Sequence, residues 1–445
     1  MESLGQNQYK NFVKTVIEDR TVSIHDTIKK NSLPLFKRQN PKPKPKSKQQ
    51  SANTEQPNPP PIYDWKICDG AAVVHALPST TVSTFDSYAE NVFIPFILNH
   101  LQSSKRVDIV WDTYKASSIK DWTRERRGNG QRRKVTGETK IPPNWKAFLQ
   151  DNTNKKEIFA LLTSRVANFQ FPENKEVNVT SDEFVVTSRG SSDMQRCNHE
   201  EADTRIPLHV QHALDKGCKQ VFVRTVDTDV LIILIGLFHD MITSCPSAAI
   251  WIGLGMGKYV QYISVNSTCA FLGPETSWAL PVFHSFTGCD TTSCFFGKGG
   301  RVDDSIFKLL ERFTVVLYDK TGNVLDVNEA HKEIFTKKNR TLENTPPTQD
   351  SLLQHALRAV YQSSIWYTSL QSVQMVPSPE AWSWCEMDGT WKPVWMTLPE
   401  AAKACLELLK CGCKQGCTGR CKCRKANLLC TWLCQCSGEC TNNEH

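Results

Sequence analysis

The chain has 445 residues, enough for two or three domains with at least one sizeable hydrophobic core. Its formal net charge of +7 permits nucleic-acid binding without requiring it, because mixed charges on a solvated surface give the same sum. The most apolar run, residues 230–238, is about half of the roughly 20 residues that a membrane span needs, so we predict that it is core. The first residues lack the apolar stretch of a signal peptide, and we therefore expect a reducing, intracellular compartment.

Residues 1–60 are polar and rich in Lys, Pro, Gln and Ser. Such a composition cannot bury a core, so we predict a disordered or extended arm. The Lys/Pro run at 41–48 has three interpretations that stay open: a nuclear-targeting signal, a phosphate-contacting patch or a solvated linker.

From residue 63 onward, strand-like runs alternate with helical patterns. Strands are predicted at 65–68, 107–111, 184–187, 220–225, 248–253 and 259–265. Helices are predicted at 91–101, 145–166, 206–216, 304–335, 350–372 and 398–410. This alternation is typical of an α/β fold with a mostly parallel sheet and helices on both faces. The predicted organisation is an arm at 1–60, an α/β domain at 61–340, a helical and Trp-rich linker at 341–405, and a Cys-rich domain at 406–445.

A cluster of cysteines lies near the end of the chain, where three Cys-x-Cys pairs alternate with single cysteines. The set comprises Cys411, Cys413, Cys417, Cys421, Cys423, Cys430, Cys434, Cys436 and Cys440. Zinc takes about four thiolates in a tetrahedron, so nine thiolates complete about three sites if three of them bridge two ions each. A segment this short and this poor in apolar residues needs such a metal core to fold. The alternatives are unstructured low complexity and a disulfide knot, which the odd number of cysteines disfavours.

This pattern resembles the tesmin-type CXC domain, including Asn442 after the last ligands. The resemblance implies DNA binding through cations that contact phosphates and base edges. The corresponding side chains are Lys414, Arg420, Lys422, Arg424 and Lys425. Nine thiolates with about three zinc ions leave the tail close to neutral, so its basic character is confined to these side chains. Zinc-dependent protein–protein interaction without nucleic acid is an open alternative.

Acidic residues follow several of the predicted strands or open the helical segment after them. The set is Asp69, Asp112, Glu201, Asp203, Asp227, Asp229 and Asp290. Because the carboxyl ends of parallel strands share one edge of a sheet, we expect these carboxylates to converge. Converging carboxylates raise one another's pKa values unless a cation neutralises them, and hard divalent cations suit oxygen ligands. Each acid also has a structural alternative as a helix cap or a turn residue.

The order and local context of these acids resemble the flap-endonuclease/XPG branch of the PIN-like nucleases. Glu201-Ala202-Asp203 matches the family's Glu-Ala-Glu motif, and Asp227-Thr228-Asp229 matches its Asp-x-Asp motif. The resemblance implies a PIN-like fold in which the seven acids hold two Mg²⁺ or Mn²⁺ ions. It also implies that Lys120 and Arg127 contact the scissile phosphate, with Arg126 as the alternative to Arg127.

The resemblance extends to Gly297-Lys298-Gly299, which resembles the family's Gly-x-Gly hairpin. The backbone of Gly297 and Gly299 is then expected to hold a potassium ion and a duplex phosphate. His199, His284 and Cys289 lie beside the acids in sequence, and we expect core or supporting roles for them rather than ligation.

Together these features predict a nuclear, DNA-directed nuclease with two catalytic Mg²⁺ or Mn²⁺ ions and about three structural zinc ions. Its partner is expected to be DNA, with RNA possible and no membrane. The alternative is a non-enzymatic DNA- or chromatin-binding protein whose PIN-like domain is an inactive scaffold.

Overall fold

The computed structural model describes residues 62–115, 117–125, 130–289, 304–319, 323–336 and 345–397, together with short pieces of the Cys-rich tail. The pieces are 411–413, 417–418, 421–425, 429–430, 434–436 and 440–442. The chain divides into two compact units, Met1–Trp395 and Met396–His445. Several predictions fall outside the described residues, namely those on the arm 1–60, the helix 398–410, Arg126, Arg127, Asp290, Gly297, Gly299, Lys414 and Arg420.

The first unit is built on a seven-stranded sheet with the order β4-β3-β2-β1-β5-β6-β7. The strands are β1 Trp65–Asp69, β2 Arg106–Val110, β3 Glu176–Ser181, β4 Phe184–Thr187, β5 Gln220–Thr225, β6 Ala249–Leu254 and β7 Gln261–Ser264. The five central strands are parallel, and the two edge strands β4 and β7 pair antiparallel. The prediction of an α/β fold with a mostly parallel sheet is therefore confirmed.

All six predicted strands are present; those at 184–187 and 220–225 have the predicted bounds, and the other four differ by one or two residues at an end. Strand β3 was missed by the sequence pattern. Its residues Asn178 and Thr180 are polar and only 1 % exposed, and they interrupt the apolar run that marks a buried parallel strand. Trp111 explains part of this burial, because its backbone N–H donates to the hydroxyl of Thr180 at 2.7 Å.

Helices connect and cover the strands. They are α1 Gly70–Ala76, α2 (Phe85–Tyr88, a π-helical turn Ala89–Phe93, and Ile94–Gln102), α3 Ile119–Glu125, α4 Trp145–Phe148, α5 Asn152–Asn168, α6 Ala202–Asp215 and α7 Thr228–Met241. They continue with α8 Val265–Leu272, α9 Pro274–Thr287, α10 Asp304–Tyr318, α11 Val327–Thr336, α12 Gln349–Tyr367 and, in the tail, α13 Lys422–Lys425. In the described residues, none of the helices is long and apolar enough to span a membrane.

Two apolar layers lie on opposite faces of the sheet. One layer joins β1, β5 and β6 to α6, α7, α9 and α12, and the other joins β1, β2 and β3 to α1, α2 and α5. Helix α7 contains the apolar run 230–238, which is buried on all sides, as predicted for core. A Cβ on Gly236 of α7 would lie 2.3 Å from Pro281 of α9, so only glycine permits this close helix approach.

The Trp-rich segment forms a β-hairpin that the sequence analysis did not predict. Strands β8 Trp384–Met387 and β9 Thr390–Pro393 are joined by Asp388 and Gly389, which both have positive φ angles. Positive φ at both central residues defines the type I′ turn, and Asp-Gly is its usual sequence. Strand β9 contacts α3, and Trp384 is buried with Tyr361 of α12. The hairpin therefore supports the helix that carries Lys120.

Candidate metal centre and catalytic cleft

The sheet order places a ligand-binding crevice next to β1. The chain runs from β1 to β2 and β3 on one side and then returns to β5 on the other side of β1. In open α/β sheets, ligands bind at such a point, outside the carboxyl ends of the strands. Asp69 ends β1, Asp112 follows β2, and Asp227 follows β5. All three acids therefore lie at the same edge of the sheet.

A cleft of about 310 Å³ lies at this edge. The predicted site residues that line it are Asp69, Asp112, Lys120, Glu201, Asp203 and Asp227. Four separate segments of the chain thus contribute acids to one cavity. The prediction that these carboxylates converge agrees with this geometry for the acids in the described residues.

Asp203, Asp227 and Asp229 form the tightest group of acids. One carboxylate oxygen of each lies within 4.8 Å of the others, so the three can hold a metal ion together. Asp227 is the N-cap of α7, and its side chain accepts the backbone N–H of Asp229 at 2.9 Å. Asp203 lies in the first turn of α6, so two helix N-termini point their positive ends at this group.

His284 of α9 supports the third acid. Its Nε2 lies 2.8 Å from Oδ1 of Asp229, which is only 6 % exposed. The contact fixes the orientation of the Asp229 carboxylate and leaves its second oxygen for a ligand. A core or supporting role was expected for His284, and the contact with Asp229 is a supporting one. His199 instead makes a hydrogen bond with the backbone carbonyl of Gln371 at 2.7 Å.

Asp69 and Asp112 tie the strand ends to the helices above them. Asp69 Oδ1 accepts the backbone N–H of Ala72 at 3.0 Å, and Oδ2 accepts the hydroxyl of Thr225 at 3.2 Å. Asp112 Oδ1 accepts the backbone N–H of Ala202 at 2.9 Å. Asp69 thus caps α1 rather than forming the turn that was its structural alternative, and the cap alternative holds for Asp227. Capping does not exclude ligation, because each carboxylate has further lone pairs.

Burial and neighbouring negative charges raise the pKa values of two of these acids. Burial, and then the charge of Asp112, raises the pKa of Asp69 to about 6. Burial and the charges of Asp227, Glu201 and Asp229 raise the pKa of Asp203 well above its ordinary value. A divalent cation relieves this repulsion, and carboxylate oxygens are the donors that Mg²⁺ and Mn²⁺ prefer. The donor set therefore fits a hard divalent ion.

Cationic side chains face the acids from α3. The ammonium group of Lys120 lies 2.6 Å from Glu201 Oε1, and Arg124 Nη1 lies 2.8 Å from Glu200 Oε1. Burial would lower the pKa of Lys120, but the Glu201 carboxylate raises it well above the ordinary lysine value. Both cations line the cleft. They are four residues apart and so share one face of the helix.

Three basic residues that line the cleft are not among the predicted site residues. Arg124 lies one turn after Lys120, and this i, i+4 spacing was the available signal. Lys155 of α5 and His75 of α1 also line the cleft, but no motif marks them. Their position depends on how α1 and α5 pack over the sheet, which local sequence does not show.

The second unit contains the cysteine cluster. Among the described residues, its thiols form three overlapping groups of potential metal ligands. The groups are Cys411/Cys417/Cys421/Cys430, Cys411/Cys430/Cys434/Cys436 and Cys417/Cys430/Cys436/Cys440. Cys423 lies beside them, with its Sγ 3.6 Å from that of Cys434. Sharing of cysteines between groups is what bridging thiolates require.

The sulfur separations fit a zinc–thiolate cluster. The Sγ atoms of Cys411 and Cys417, and those of Cys417 and Cys436, are both 3.7 Å apart. The edge of a ZnS₄ tetrahedron with Zn–S bonds of about 2.3 Å is about 3.8 Å, whereas a disulfide bond is about 2.05 Å. The cysteines that the structure describes are all free thiols. The arrangement of the cluster is thus compatible with zinc binding.

Thiolate crowding in this cluster also favours a metal. Burial, and then the neighbouring Cys434, raises the pKa of Cys423 to about 12. The backbone N–H of Arg424 lowers the pKa of Cys421 to about 6, which favours its thiolate. Thiolates crowded in this way are stable when divalent cations balance their charge.

Short helix α13 presents the described cations of the tail. Lys422, Arg424 and Lys425 are exposed, while Cys421 before them and Cys423 among them are buried. Arg424 Nη1 also donates to the carbonyl of Cys417 at 3.3 Å, so this side chain helps to hold the cluster. The two lysines are therefore the better candidates for contact with an external anion.

Comparison of the chain with protein-family models, with curated proteins and with solved structures finds no match in any of the three. The class of protein that fold and site define is an α/β protein with an acidic, metal-competent cleft and a Cys-rich second unit.

Proposed function

We propose that this protein is a metal-dependent nuclease that hydrolyses phosphodiester bonds in DNA. One observation carries the proposal. Acids from four chain segments meet in one cleft with Lys120 and Arg124, at the carboxyl edge of a doubly wound sheet. Phosphoryl chemistry needs this combination, because negative charge must be neutralised on the phosphate and on the leaving oxygen.

Asp203, Asp227 and Asp229 would hold one Mg²⁺ or Mn²⁺ ion, since their oxygens are the closest together. Asp69 and Asp112 would hold a second ion from the neighbouring strand ends. When bound, such ions supply an activated water and stabilise the leaving oxygen. The five acids supply the negative charge that keeps these ions in the cleft.

The cations of α3 would bind the substrate. Lys120 stays charged because Glu201 lies 2.6 Å away, and its position is fixed by burial. Its ammonium group and the guanidinium of Arg124 are then placed to contact the non-bridging oxygens of a phosphodiester in the cleft. Arg127, to which the family resemblance gives this role, lies outside the described residues.

The same observations support a PIN-like domain of the flap-endonuclease/XPG type. The acids follow strands of a mostly parallel sheet in the order that the resemblance implies. Asp290 and the Gly297/Gly299 pair lie outside the described residues, so their roles as metal ligand and potassium site rest on the resemblance.

The Cys-rich tail would tether the enzyme to DNA in the nucleus. A CXC-type cluster with about three zinc ions would present Lys422, Arg424 and Lys425, with Lys414 and Arg420 added by the resemblance. Tethering raises the local concentration of the nuclease unit along DNA without any new contact in the cleft.

A cleavage assay tests the proposal. The full chain is incubated with Mg²⁺ or Mn²⁺ and with flap, hairpin, single-stranded and duplex DNA, and with RNA of the same sequence. Asp203→Asn and Asp227→Asn remove one charge each while keeping volume, and Asn is as good an N-cap as Asp. We expect each to lower the rate at least roughly a hundredfold.

Asp240→Asn is the matched control, because Asp240 is an exposed acid near the other end of α7. It should cleave like the wild type. Equal cleavage by all four proteins would assign the activity to a contaminant. Metal-independent DNA binding with no cleavage of any substrate would favour the inactive-scaffold alternative instead.

A further inference from the structure

A second cavity, of about 220 Å³, adjoins the acidic cleft. Lys120 and Glu201 line both cavities. Because the two cavities share this ion pair, they are neighbours, and a phosphate bound in the cleft would lie next to the second cavity.

One wall of the second cavity is apolar and aromatic. Trp391 of β9, Tyr361 of α12 and Ile119 of α3 line it. Tyr361 and Ile119 are buried together with Trp384, and the half-buried ring of Trp391 packs against this cluster. A tryptophan on a rigid hairpin offers a flat surface for stacking.

The charges that line the cavity are already paired. Glu200 accepts the hydroxyl of Ser118 at 2.7 Å and the guanidinium of Arg124 at 2.8 Å. Glu201 pairs with Lys120, and the ammonium of Lys115 donates to the carbonyl of Asn198 at 2.6 Å. This lining therefore favours a neutral, flat group with polar edges over a second phosphate or a metal ion.

We infer that the second cavity holds the base of an unpaired nucleotide next to the phosphodiester bond in the acidic cleft. This inference rests on the proposed nuclease function. The base stacks on Trp391. Stacking accepts every base, so the cavity selects for an unpaired or extruded nucleotide rather than for a sequence.

The test uses oligonucleotides in which one nucleotide at a time, near the cleaved bond, is replaced by an abasic analogue. Single-turnover cleavage is measured in Mg²⁺, and binding is measured in Ca²⁺. For the wild type, we expect one position at which the abasic substitution weakens binding and slows cleavage roughly tenfold, the scale of one base–aromatic stack. Trp391→Ala should bind and cleave the intact substrate only as well as the wild type binds and cleaves the abasic one. The abasic substitution should then have no further effect on this variant.

Two variants control for folding. Trp391→Phe keeps an aromatic face and should retain most of the abasic effect. Trp395→Ala removes a tryptophan that packs over Arg358 and is not part of the cavity lining, and it should behave like the wild type. Melting temperatures of all variants are compared, so that loss of the hairpin is recognised.

The outcomes separate the inference from the function on which it rests. Cleavage without any abasic effect, or an abasic effect that persists in Trp391→Ala, overturns the inference and leaves the nuclease proposal intact. Base-dependent binding that Trp391→Ala removes, with no cleavage of any substrate, supports the cavity assignment and overturns the nuclease proposal. Neither cleavage nor base-dependent binding overturns both.

Discussion

The ammonium group of Lys120 lies 2.6 Å from a carboxylate oxygen of Glu201, and this pair lines both the acidic cleft and the second cavity. Helix α3 carries Lys120, and the Trp-rich hairpin packs against that helix. The pair therefore links the predicted linker segment to the candidate catalytic residues. Its two members also neutralise each other, which permits both to be largely buried.

Replacement of Lys120 should separate its role in catalysis from its role in packing. We expect Lys120→Met to reduce cleavage about a hundredfold or more, because the variant loses the buried one of the two cations that contact the phosphate. Lys120→Arg keeps the charge and should lose less activity. The measurement is single-turnover cleavage in Mg²⁺, with Lys156→Met, an exposed lysine of α5, as the control. Wild-type rates for Lys120→Met would remove Lys120 from the mechanism.

Metal binding in the cleft should weaken as the pH falls. The pKa of Asp69 is raised to about 6 by burial and by Asp112, so below this pH a proton competes with the metal for the carboxylate. We expect Mn²⁺ affinity to fall about tenfold per pH unit below about pH 6 for each proton displaced. Titration calorimetry at several pH values measures this, and Asp69→Asn should flatten the curve. An affinity independent of pH between about 5 and 8 would contradict a role for Asp69 as a ligand.

The purified protein should contain zinc bound by the tail. Cys430 belongs to all three groups of potential ligands, so Cys430→Ser should lower zinc content and thiolate protection more than any change outside the cluster. Cys385→Ser is the control, because Cys385 lies in β8 and its thiol donates to the carbonyl of Lys392. Elemental analysis and thiol counting measure the outcome. About three zinc ions per chain are expected from nine thiolates. A protein without zinc would favour the metal-free alternatives.

The exposed lysines of α13 should set the salt dependence of DNA binding by the tail. Lys422→Ala with Lys425→Ala removes two cations without touching a ligand sulfur. We expect weaker binding and a smaller slope of log affinity against log salt, by roughly 0.9 for each phosphate that the variant no longer neutralises. Zinc content should be unchanged, which separates this effect from collapse of the cluster. Binding with no salt dependence in the wild type would favour a protein partner instead.

A buried network beneath the sheet makes a prediction about stability. Asp108 of β2 accepts the guanidinium of Arg106 at 2.6 Å and lies 2.6 Å from Nδ1 of His209. Burial alone would raise the pKa of Asp108, but Arg106 and His209 lower it from 3.8 to about 2. Burial lowers the pKa of His209, so its imidazole is neutral at pH 7 and donates its Nδ1–H to Asp108.

A carboxyl group whose pKa is lower in the folded than in the unfolded chain stabilises the fold at pH values above the unfolded pKa. This stabilisation is lost as the pH falls through the folded pKa. The contribution is therefore full above about pH 4 and disappears toward pH 2, with a size of about 2 kcal/mol. Asp108→Asn should cost at least this much at pH 7 and should reduce the acid sensitivity of unfolding. Urea unfolding at pH 7 and at about pH 3 measures it. If the free energy of unfolding of Asp108→Asn changes between these two pH values as much as that of the wild type, the acid sensitivity arises from other residues.

Much of the fold could be predicted because strand and helix signals are local. The alternation of short apolar runs with helical segments located six strands correctly, although β3 was missed because polar residues occupy its buried positions. The hairpin at 384–393 was also missed, although Asp388-Gly389 is a local signal that predicts its turn. The packing of that hairpin on α3 has no local signal.

The cysteine cluster and the acids were determined by the sequence to different extents. The spacing of the cysteines predicts a thiolate cluster, because ligands that are close in the chain must be close in space. The acids after strands predicted a crevice, but only the tertiary structure decided which of them converge. Asp203, Asp227 and Asp229 meet because β5 lies beside β1 and α6 begins at the same edge, and Arg124 and Trp391 reach the neighbouring cavities because α3 and β9 pack together. These contacts join residues far apart in the chain, and their free energy comes from burial that no single segment achieves alone.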